Sequence, residues 1–371
     1  MSFTFLHTAD WQIGKAFGGL PKDVAAALTE ARLAAIDRLA DDAGTAQARH
    51  VLVAGDVFDS QALAPKTVRQ AIARMAQHRG LTWHLLPGNH DAHRPGGLWE
   101  RMIGDDLPGN VRPHLTPVPV EIETGVWLLP APLTGRAASL DPSAHMDTAV
   151  TPAGALRIGF AHGSVRGFGS DGDASVLISK TRAESARLDY LALGDWHGAK
   201  CIDERTWYAG TPEPDRFLGN DAGHALIVRI DAPGKPPVIE KVRVGQFVWL
   251  RTDLVISNLD SLSAVEAQIA KAAPRPSDVL LQLNITGRVP AALRQEILRC
   301  LRTIEAGLRH LEADVSGLAI KASNDDLDAL GTSGDLRLVG ERLTQLTDDP
   351  AAPGALSLLF DLAAETRGTR A

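Results

Sequence analysis

Short apolar runs that lead into polar loops recur along roughly the first 230 residues. These runs are FTFL, HVLVA, TWHLL, LRIGF and YLAL, and each precedes a loop rich in Asp, Asn, His or Gly. Apolar, β-prone runs of this length, bounded by Gly, Pro or Asp, are typical of buried strands. Residues 23–42 and 66–78 show helical apolar spacing between them. This order predicts an α/β layered domain with partly parallel sheets.

The pattern changes after about residue 223. HALIVRI, VIEKVRV and FVWLRTDLV are predicted as short strands that close the first domain in antiparallel fashion. A compact α-β-α-β pattern follows, and then two amphipathic helical stretches, DLRLVGERLTQL and ALSLLFDLAAET. These changes predict three parts: a catalytic domain at 1–256, a small α/β domain at 257–325 and a helical tail at 326–371.

Composition narrows the class of protein. A length of 371 residues favours more than one domain, and only two cysteines occur, far apart, which excludes a disulfide framework. The low cysteine content fits a reducing cytoplasm. No apolar run is long enough to span a membrane, and the first residues lack a signal-peptide pattern. The net charge of −7 argues against binding nucleic acid through bulk positive charge, but not against nucleic acid as a substrate.

The candidate chemistry lies in the loops that follow the strands. Singly, each polar residue there has an ordinary explanation, since Asp and Asn favour turns and a lone His is usually satisfied locally. Together, carboxylates, imidazoles and amides at one end of successive strands suit divalent metal ions. Several buried carboxylates also require compensating cations. The economical explanation is a two-metal phosphoester site that generates hydroxide for attack on phosphorus.

The motifs carry a family resemblance. GD followed by GNHD, with an Asp-containing motif before them and AHG and a His-containing motif after them, resembles the calcineurin-like metallophosphoesterase superfamily. HTADWQIGK, VAGDVFDS, LPGNHD and WYAGTPEPDRF are similar to its SbcD-type DNA repair exonuclease branch. The resemblance implies a four-layer α/β/β/α sandwich with a DNA-capping domain and a helical tail. It also implies DNA as substrate, an SbcC-type ATPase with coiled coils as partner, a homodimer and no membrane.

The resemblance assigns roles residue by residue. Asp56 would bridge two ions, Asp10 and His197 would bind the first, and Asn89 and His162 would bind the second. His90 would face the scissile phosphate, stabilise the transition state and protonate the leaving oxygen, with Asp91 orienting its imidazole. His93 and Arg94 are weaker candidates for contact with the substrate phosphate.

Two positions depart from the family pattern. Gln12 stands where the first motif usually has histidine, and Asp195 stands where the last motif has its first histidine. Both are retained as metal-site residues, and the exchange of imidazole for oxygen ligands predicts Mn²⁺, with Mg²⁺ as the alternative. The opposing interpretation is a decayed site, which the presence of the bridging acid and His90 disfavours.

Three functions fit these observations. The favoured one is a metal-dependent nuclease that hydrolyses DNA phosphodiester bonds in repair or end processing. The alternative is a phosphodiesterase or phosphatase acting on nucleotides or other small phosphoesters, because the same metal core serves many substrates. A third is a non-catalytic scaffold for an ATPase.

Overall fold

The computed structural model describes residues 2–104, 107–167, 176–330, 334–346 and 348–368. The chain forms two compact units. The first comprises residues 1–215 and 220–247, and the second comprises 216–219 and 248–371. Within the described ranges, no helix combines the length and the apolar character that crossing a membrane requires.

The elements have the following bounds. The strands are β1 (Phe3–Thr8), β2 (His50–Val53), β3 (Thr82–Leu85), β4 (Val111–Pro113), β5 (Val120–Glu123), β6 (Val126–Ala131), β7 (Leu156–His162), β8 (Ser164–Val165), β9 (Leu177–Ile178), β10 (Tyr190–Gly194), β11 (Lys200–Cys201), β12 (Thr206–Tyr208), β13 (His224–Ile230), β14 (Val238–Arg243), β15 (Val248–Val255), β16 (Val279–Val289) and β17 (His310–Ile320). The helices are α1 (Lys22–Thr45), α2 (Pro65–Gln77), α3 (Leu98–Gly104), α4 (Arg182–Ser185), α5 (Ser261–Ala272), α6 (Ala291–Gly307), α7 (Asn324–Ala329), α8 (Asp335–Gln345) and α9 (Ala352–Gly368), with 3₁₀ turns at Ala144–Asp147 and Pro276–Asp278.

The first unit contains two six-stranded sheets. One has the order β14-β13-β1-β2-β3-β4 and the other β11-β12-β10-β7-β6-β5. Strands β1 to β4 are parallel to one another, as are β6, β7, β10 and β12, and antiparallel strands complete each sheet. The apolar runs predicted as strands correspond to β1, β2, β3, β7 and β10, which are almost wholly buried because both faces of each sheet are covered.

Three apolar layers hold this unit together. Phe5, Phe160 and Val228 belong to the core between the two sheets. Helices α1 and α2 cover the outer face of the first sheet through side chains such as Ile36, and Met146 belongs to the core on the outer face of the second sheet. The predicted α/β/β/α sandwich is therefore confirmed.

The second unit has its own parallel sheet, in the order β15-β16-β17. Side chains of α5 and α6, including Val265 and Ile297, share a core with this sheet. A second core joins Ile320, at the end of β17, to Phe360 of α9. The predicted α-β-α-β order of this region is present.

The division at residue 256 differs from the structure. FVWLRTDLV was predicted to close the first domain in antiparallel fashion, whereas β15 pairs in parallel with β16 in the second unit. Its apolar residues Val248, Leu250 and Leu254 pack on the core of that unit. The segments predicted separately at 257–325 and 326–371 lie in that same unit, because the tail helix α9 shares apolar contacts with α6 and β17.

Candidate metal centre

The polar loops predicted to carry chemistry follow the carboxyl ends of β1, β2, β3, β7 and β10. These strands run parallel to their neighbours within each sheet, so their carboxyl ends share an edge. There, donor atoms of Asp10, Asp56 and His162 all lie within 4.8 Å of one another, and all three residues are buried. The structure thus brings together three predicted ligands from three strand ends.

The backbone at this edge adopts a conformation that is unusual for residues with side chains. Asp10, Gln12, Asp56 and Asp195 have φ angles of 53°, 43°, 52° and 105°. Such positions each cost on the order of 1–3 kcal/mol, and they persist where the surrounding structure enforces them. Here the loops bond to one another, since the Gln12 N–H donates to the carbonyl of Asp56 at 2.8 Å. This concentration of strain at one edge is typical of a functional site.

Asp56 occupies the middle of the cluster. Its Oδ1 accepts the backbone N–H of His90 at 2.9 Å and lies 3.6 Å from Nε2 of His162. A Cβ on Gly88 would lie 2.1 Å from this Oδ1, so only glycine allows the loops to approach so closely. The position suits the bridging role predicted for Asp56.

His162, Asn89, Asp195 and the bridging Asp56 form what we call the His162 half of the centre. Nδ1 of His162 hydrogen-bonds the carbonyl of Ala54 at 2.8 Å, which turns Nε2 toward the carboxylates. Among the described residues, neither the buried Nε2 nor the buried Oδ1 of Asn89 has a hydrogen-bond partner. Oδ2 of Asp195 accepts a hydrogen bond from Ser164 at 2.7 Å. An imidazole nitrogen and an amide oxygen that lie open beside carboxylates fit a divalent cation.

The charges of the site also call for a cation. Burial raises the pKa of Asp10 to about 6, an effect that the nearby His197 and His162 partly offset. Burial opposes the charged form of His162, yet the carboxylates of Asp56, Asp10 and Asp195 raise its pKa to about 9. His162 therefore holds a proton beside the carboxylates, and a bound metal ion would supply positive charge in place of that proton.

Gln12 and His197 form what we call the His197 half, together with Asp10. Nε2 of His197 lies 3.2 Å from Nε2 of Gln12, and its Nδ1 lies 3.3 Å from Oδ1 of Asp215. Lys15 contacts both Oε1 of Gln12, at 3.0 Å, and Oδ2 of Asp215, at 2.8 Å. Burial would raise the pKa of Asp215, but the hydrogen bond from His197 and the nearby cationic groups hold it well below its usual range.

His90 is the most exposed of the predicted catalytic groups, with 39% of its side chain accessible. Its Nδ1 bonds the carbonyl of Asp59 at 3.0 Å, and Nε2, on the opposite side of the ring, lies 3.9 Å from Oδ2 of Asp56. A side chain that is fixed at one nitrogen and open at the other can donate a proton to a bound substrate.

Asp91 does not have the predicted role of orienting His90. Its fully buried carboxylate accepts the N–H of Gly88 at 2.7 Å and the N–H of Phe58 at 3.0 Å, which ties the GNHD loop to the GDVFD loop. Burial, reinforced by the charge of Asp56, raises the pKa of Asp91 to about 8. The carbonyl of Asp59 takes the orienting role instead, so Asp91 is a positioning residue for the loop.

A cleft of about 340 Å³ opens beside His90 and Asn89. Arg94 lines it, as predicted, together with Arg136. His93 is not among the lining residues; its ring lies 3.6 Å from the carboxylate of Glu100. The structure therefore gives Arg94 a place beside the site and not His93.

Sequence reasoning missed three residues at this site. Asp215 belongs to the WYAGTPEPDRF motif, which was noticed as a whole without a role for its acid. Lys15 follows Gln12 of the DWQ motif by three positions, and no signal marked it. Arg136 lies outside every motif, so only the folded chain brings it to the cleft.

Comparison with known proteins found three similarities. Residues 3–165 match the family model described as calcineurin-like phosphoesterase. The uncharacterized metallophosphoesterase YhaO of Bacillus subtilis (strain 168) is 23% identical over 338 residues, covering 84% of this chain and 78% of that protein. The crystal structure of TT1561 of Thermus thermophilus aligns with a TM-score of 0.41 and 11% identity, covering 66% of this chain and 100% of that one.

The family match covers the part of the chain that carries Asp10, Asp56, Asn89, His90 and His162. The geometry of Asp10, Asp56, Asn89 and His162 fits divalent ions independently of any comparison. The match and the distant relative make the chain similar to calcineurin-like phosphoesterases, and the donor set suits the divalent ions that hydrolysis of phosphoesters requires.

Proposed function

We propose that this chain is a cytoplasmic, metal-dependent nuclease that hydrolyses DNA phosphodiester bonds in repair or end processing. The observation that carries the proposal is the pair of guanidinium groups, Arg94 and Arg136, in the cleft beside His90. A polynucleotide places further phosphates on either side of the one that reacts, and arginine binds such phosphates well. A single small phosphoester offers no further phosphate for these cations.

The residues of the site divide the chemistry among them. Divalent ions, Mn²⁺ in our proposal, would neutralise the carboxylates, bind phosphate oxygens and lower the pKa of a bound water. His90, fixed through Nδ1 by the carbonyl of Asp59, would stabilise charge on the phosphate and protonate the leaving oxygen through Nε2. Arg94 and Arg136 would hold the strand in register.

A comparison of two substrates tests the proposal. Linear duplex and single-stranded DNA are assayed beside bis(p-nitrophenyl) phosphate, with Mn²⁺, Mg²⁺ or EDTA present. We expect Arg94→Gln with Arg136→Gln to lower DNA cleavage at least about tenfold while sparing the small ester, because each lost phosphate contact weakens only polyanion binding. The exposed Arg79→Gln serves as the control.

The alternative function has an observation of its own. A cleft of about 340 Å³ lies within the range of small-molecule sites. If the protein cleaves small phosphoesters or nucleotides but no DNA, this alternative replaces the nuclease. If the natural chain hydrolyses none of these substrates with any metal ion, and His90→Ala changes nothing while deletion of the tail abolishes binding of a partner, the chain is a scaffold and not an enzyme.

We further propose that the tail helices bind an SbcC-type ATPase and that the chain forms a homodimer. Leu338 of α8 and Leu358 of α9 are 63% and 59% exposed, and apolar side chains of this kind support docking of a partner helix. Co-purification with the ATPase, and light scattering of the protein alone, test the two assemblies. Leu338→Glu with Leu358→Glu should abolish the first; unchanged co-purification would contradict it.

A further inference from the structure

We propose that the two halves of the metal centre are unequal: the His162 half holds one divalent ion tightly, and hydrogen bonds from Lys15 and Gln12 close the His197 half in the absence of substrate. The inference rests on the metal-dependent site of the proposed function but not on DNA as its substrate. It gives Lys15, which no motif marked, a role in setting how many ions the resting protein holds.

Lys15 determines how the amide of Gln12 is oriented. An ammonium group has three donors and no acceptor, so the amide atom 3.0 Å from Nζ must be the oxygen. The amide nitrogen then faces His197. The oxygen by which Gln12 would bind an ion is thus already bonded to Lys15.

The orientation of Gln12 in turn fixes His197. The amide N–H of Gln12 points at Nε2 of His197 from 3.2 Å, so this nitrogen is the acceptor. The ring proton therefore lies on Nδ1 and faces Asp215 at 3.3 Å. Asp215 also pairs with Lys15 at 2.8 Å, which closes a ring of four mutually bonded side chains. The lone pair by which His197 would bind an ion is consequently occupied.

The His162 half has the opposite character. Nδ1 of His162 is engaged by the carbonyl of Ala54, but the buried Nε2 bonds to no group in the described part of the chain. Oδ1 of Asn89 is also buried and, within the same residues, unpartnered. An ion that binds in this half coordinates atoms that have no other partner among the described residues. An ion that binds in the His197 half must first break the hydrogen bonds of Lys15 and Gln12.

Charge reinforces the asymmetry. Lys15 pairs with Asp215 and occupies the amide oxygen of Gln12, so the carboxylate of Asp215 offers no uncompensated negative charge to a second dication. On the other half, Asp195 adds a carboxylate whose Oδ1 lies 3.9 Å from Nε2 of His162. The neutral amide of Gln12 is also a weaker ligand than an imidazole. We expect the ion in the His197 half to bind about 100-fold more weakly than the ion in the His162 half, which corresponds to about 2.7 kcal/mol.

Counting ions on the full-length protein tests the inference without any nuclease assay. Protein freed of metal by chelation is titrated with Mn²⁺. Electron paramagnetic resonance measures the concentration of free Mn²⁺, and isothermal titration calorimetry measures the same binding independently. We expect one tight ion per chain and a much weaker second. Gln12→His combined with Lys15→Met should convert the second site to tight binding, whereas the exposed Lys22→Met should leave both affinities unchanged.

Other outcomes overturn the inference. Two ions of equal affinity in the natural chain would do so, as would no tight ion at all. His162→Ala should remove the tight ion; retention of that ion would place it in the His197 half. If a variant does not fold, the titration of the natural chain still decides. Tight binding of one ion without DNA cleavage would refute the nuclease and leave this inference standing.

Discussion

The role of Asp91 gives the most direct test of how the site is built. The carboxylate accepts two backbone N–H groups, from Gly88 and Phe58, and none of its surface is exposed. Asp91→Ala leaves both N–H groups buried without partners. Asp91→Asn keeps one acceptor but turns an NH₂ group toward the other N–H. The two variants therefore remove different numbers of bonds from the same contact.

The magnitudes follow from these contacts. A buried donor left unsatisfied costs about 1–3 kcal/mol, so Asp91→Ala should lower the free energy of unfolding by about 2–6 kcal/mol. Asp91→Asn should cost about 1–3 kcal/mol. The cost of Asp91→Asn should lie at the lower end of this range. Burial disfavours the charged carboxylate and raises the pKa of Asp91 to about 8, whereas a neutral amide does not incur that cost of burying a charge.

Chemical denaturation followed by tryptophan fluorescence measures this loss, since Trp99 bonds the carbonyl of Asp91. Asp41→Asn, an exposed change in the same unit, should stay within about 0.5 kcal/mol of the natural chain. A kinetic pH profile is recorded in parallel. If Asp91→Asn unfolds like the natural chain while the profile shifts, Asp91 acts on His90 and our assignment of it to loop positioning is wrong.

Four further predictions address other parts of the first unit. Arg32→Met should lower the free energy of unfolding by about 3–5 kcal/mol, because the buried guanidinium donates to the carbonyls of Trp11 and Glu213 and lies 3.8 Å from Asp215. Chemical denaturation measures this loss, with the exposed Arg79→Met as the control. Gly55→Ala should lower the free energy of unfolding by at least about 2 kcal/mol and weaken Mn²⁺ binding, because φ is +89° and a Cβ would lie 2.1 Å from Nδ1 of His162. Denaturation and Mn²⁺ titration measure the two effects. Gly80→Ala is the control, since its Cβ would meet no atom of the described residues within 4 Å. Burial lowers the pKa of His114 to about 4, so the unfolded chain takes up a proton at higher pH than the folded chain does. About 3 kcal/mol of the free energy of unfolding should therefore be present above pH 6.5 and be lost as the pH falls to 4. Denaturation at a series of pH values measures this loss, and His114→Leu should reduce it. Finally, a non-hydrolysable phosphodiester should tighten binding of Mn²⁺ in the His197 half, because its negative charge offsets the charge of the added ion. An unchanged affinity in the titration would show that substrate charge does not govern entry of this ion.

Much of the sandwich could be predicted because its strands are buried on both faces. HVLV and YLALG are continuous apolar runs, and they became β2 and β10. FVWLRTDLV has an equally clear strand pattern, but its assignment to the first domain was wrong. A strand pattern does not indicate which sheet the strand joins. Its pairing is decided by contacts with β16, more than twenty residues later.

The candidate metal ligands could be predicted for a related reason. A ligand must follow a strand closely, so Asp10, Asp56 and His162 are marked by the apolar runs before them. The groups that orient the side chains of the site carry no such mark. The carbonyl of Asp59 holds His90, and a main-chain atom has no sequence signature at all. Asp91 was assigned to that task because it is adjacent in sequence, but adjacency does not determine where a side chain points.

Charge balance explains why Gln12 and Asp195 should be considered together. Asp10, Asp56 and Asp195 provide three carboxylates, while Lys15 is balanced by Asp215 at 2.8 Å. One divalent ion leaves this cluster with about one negative charge, and a second would make it positive. A phosphodiester brings a further negative charge, which makes entry of the second ion favourable only when substrate is present. Without substrate, Lys15 holds the amide oxygen of Gln12 away from the ion. When substrate brings the second ion, Gln12 becomes available as its ligand, while Asp195 stabilises the ion in the His162 half throughout.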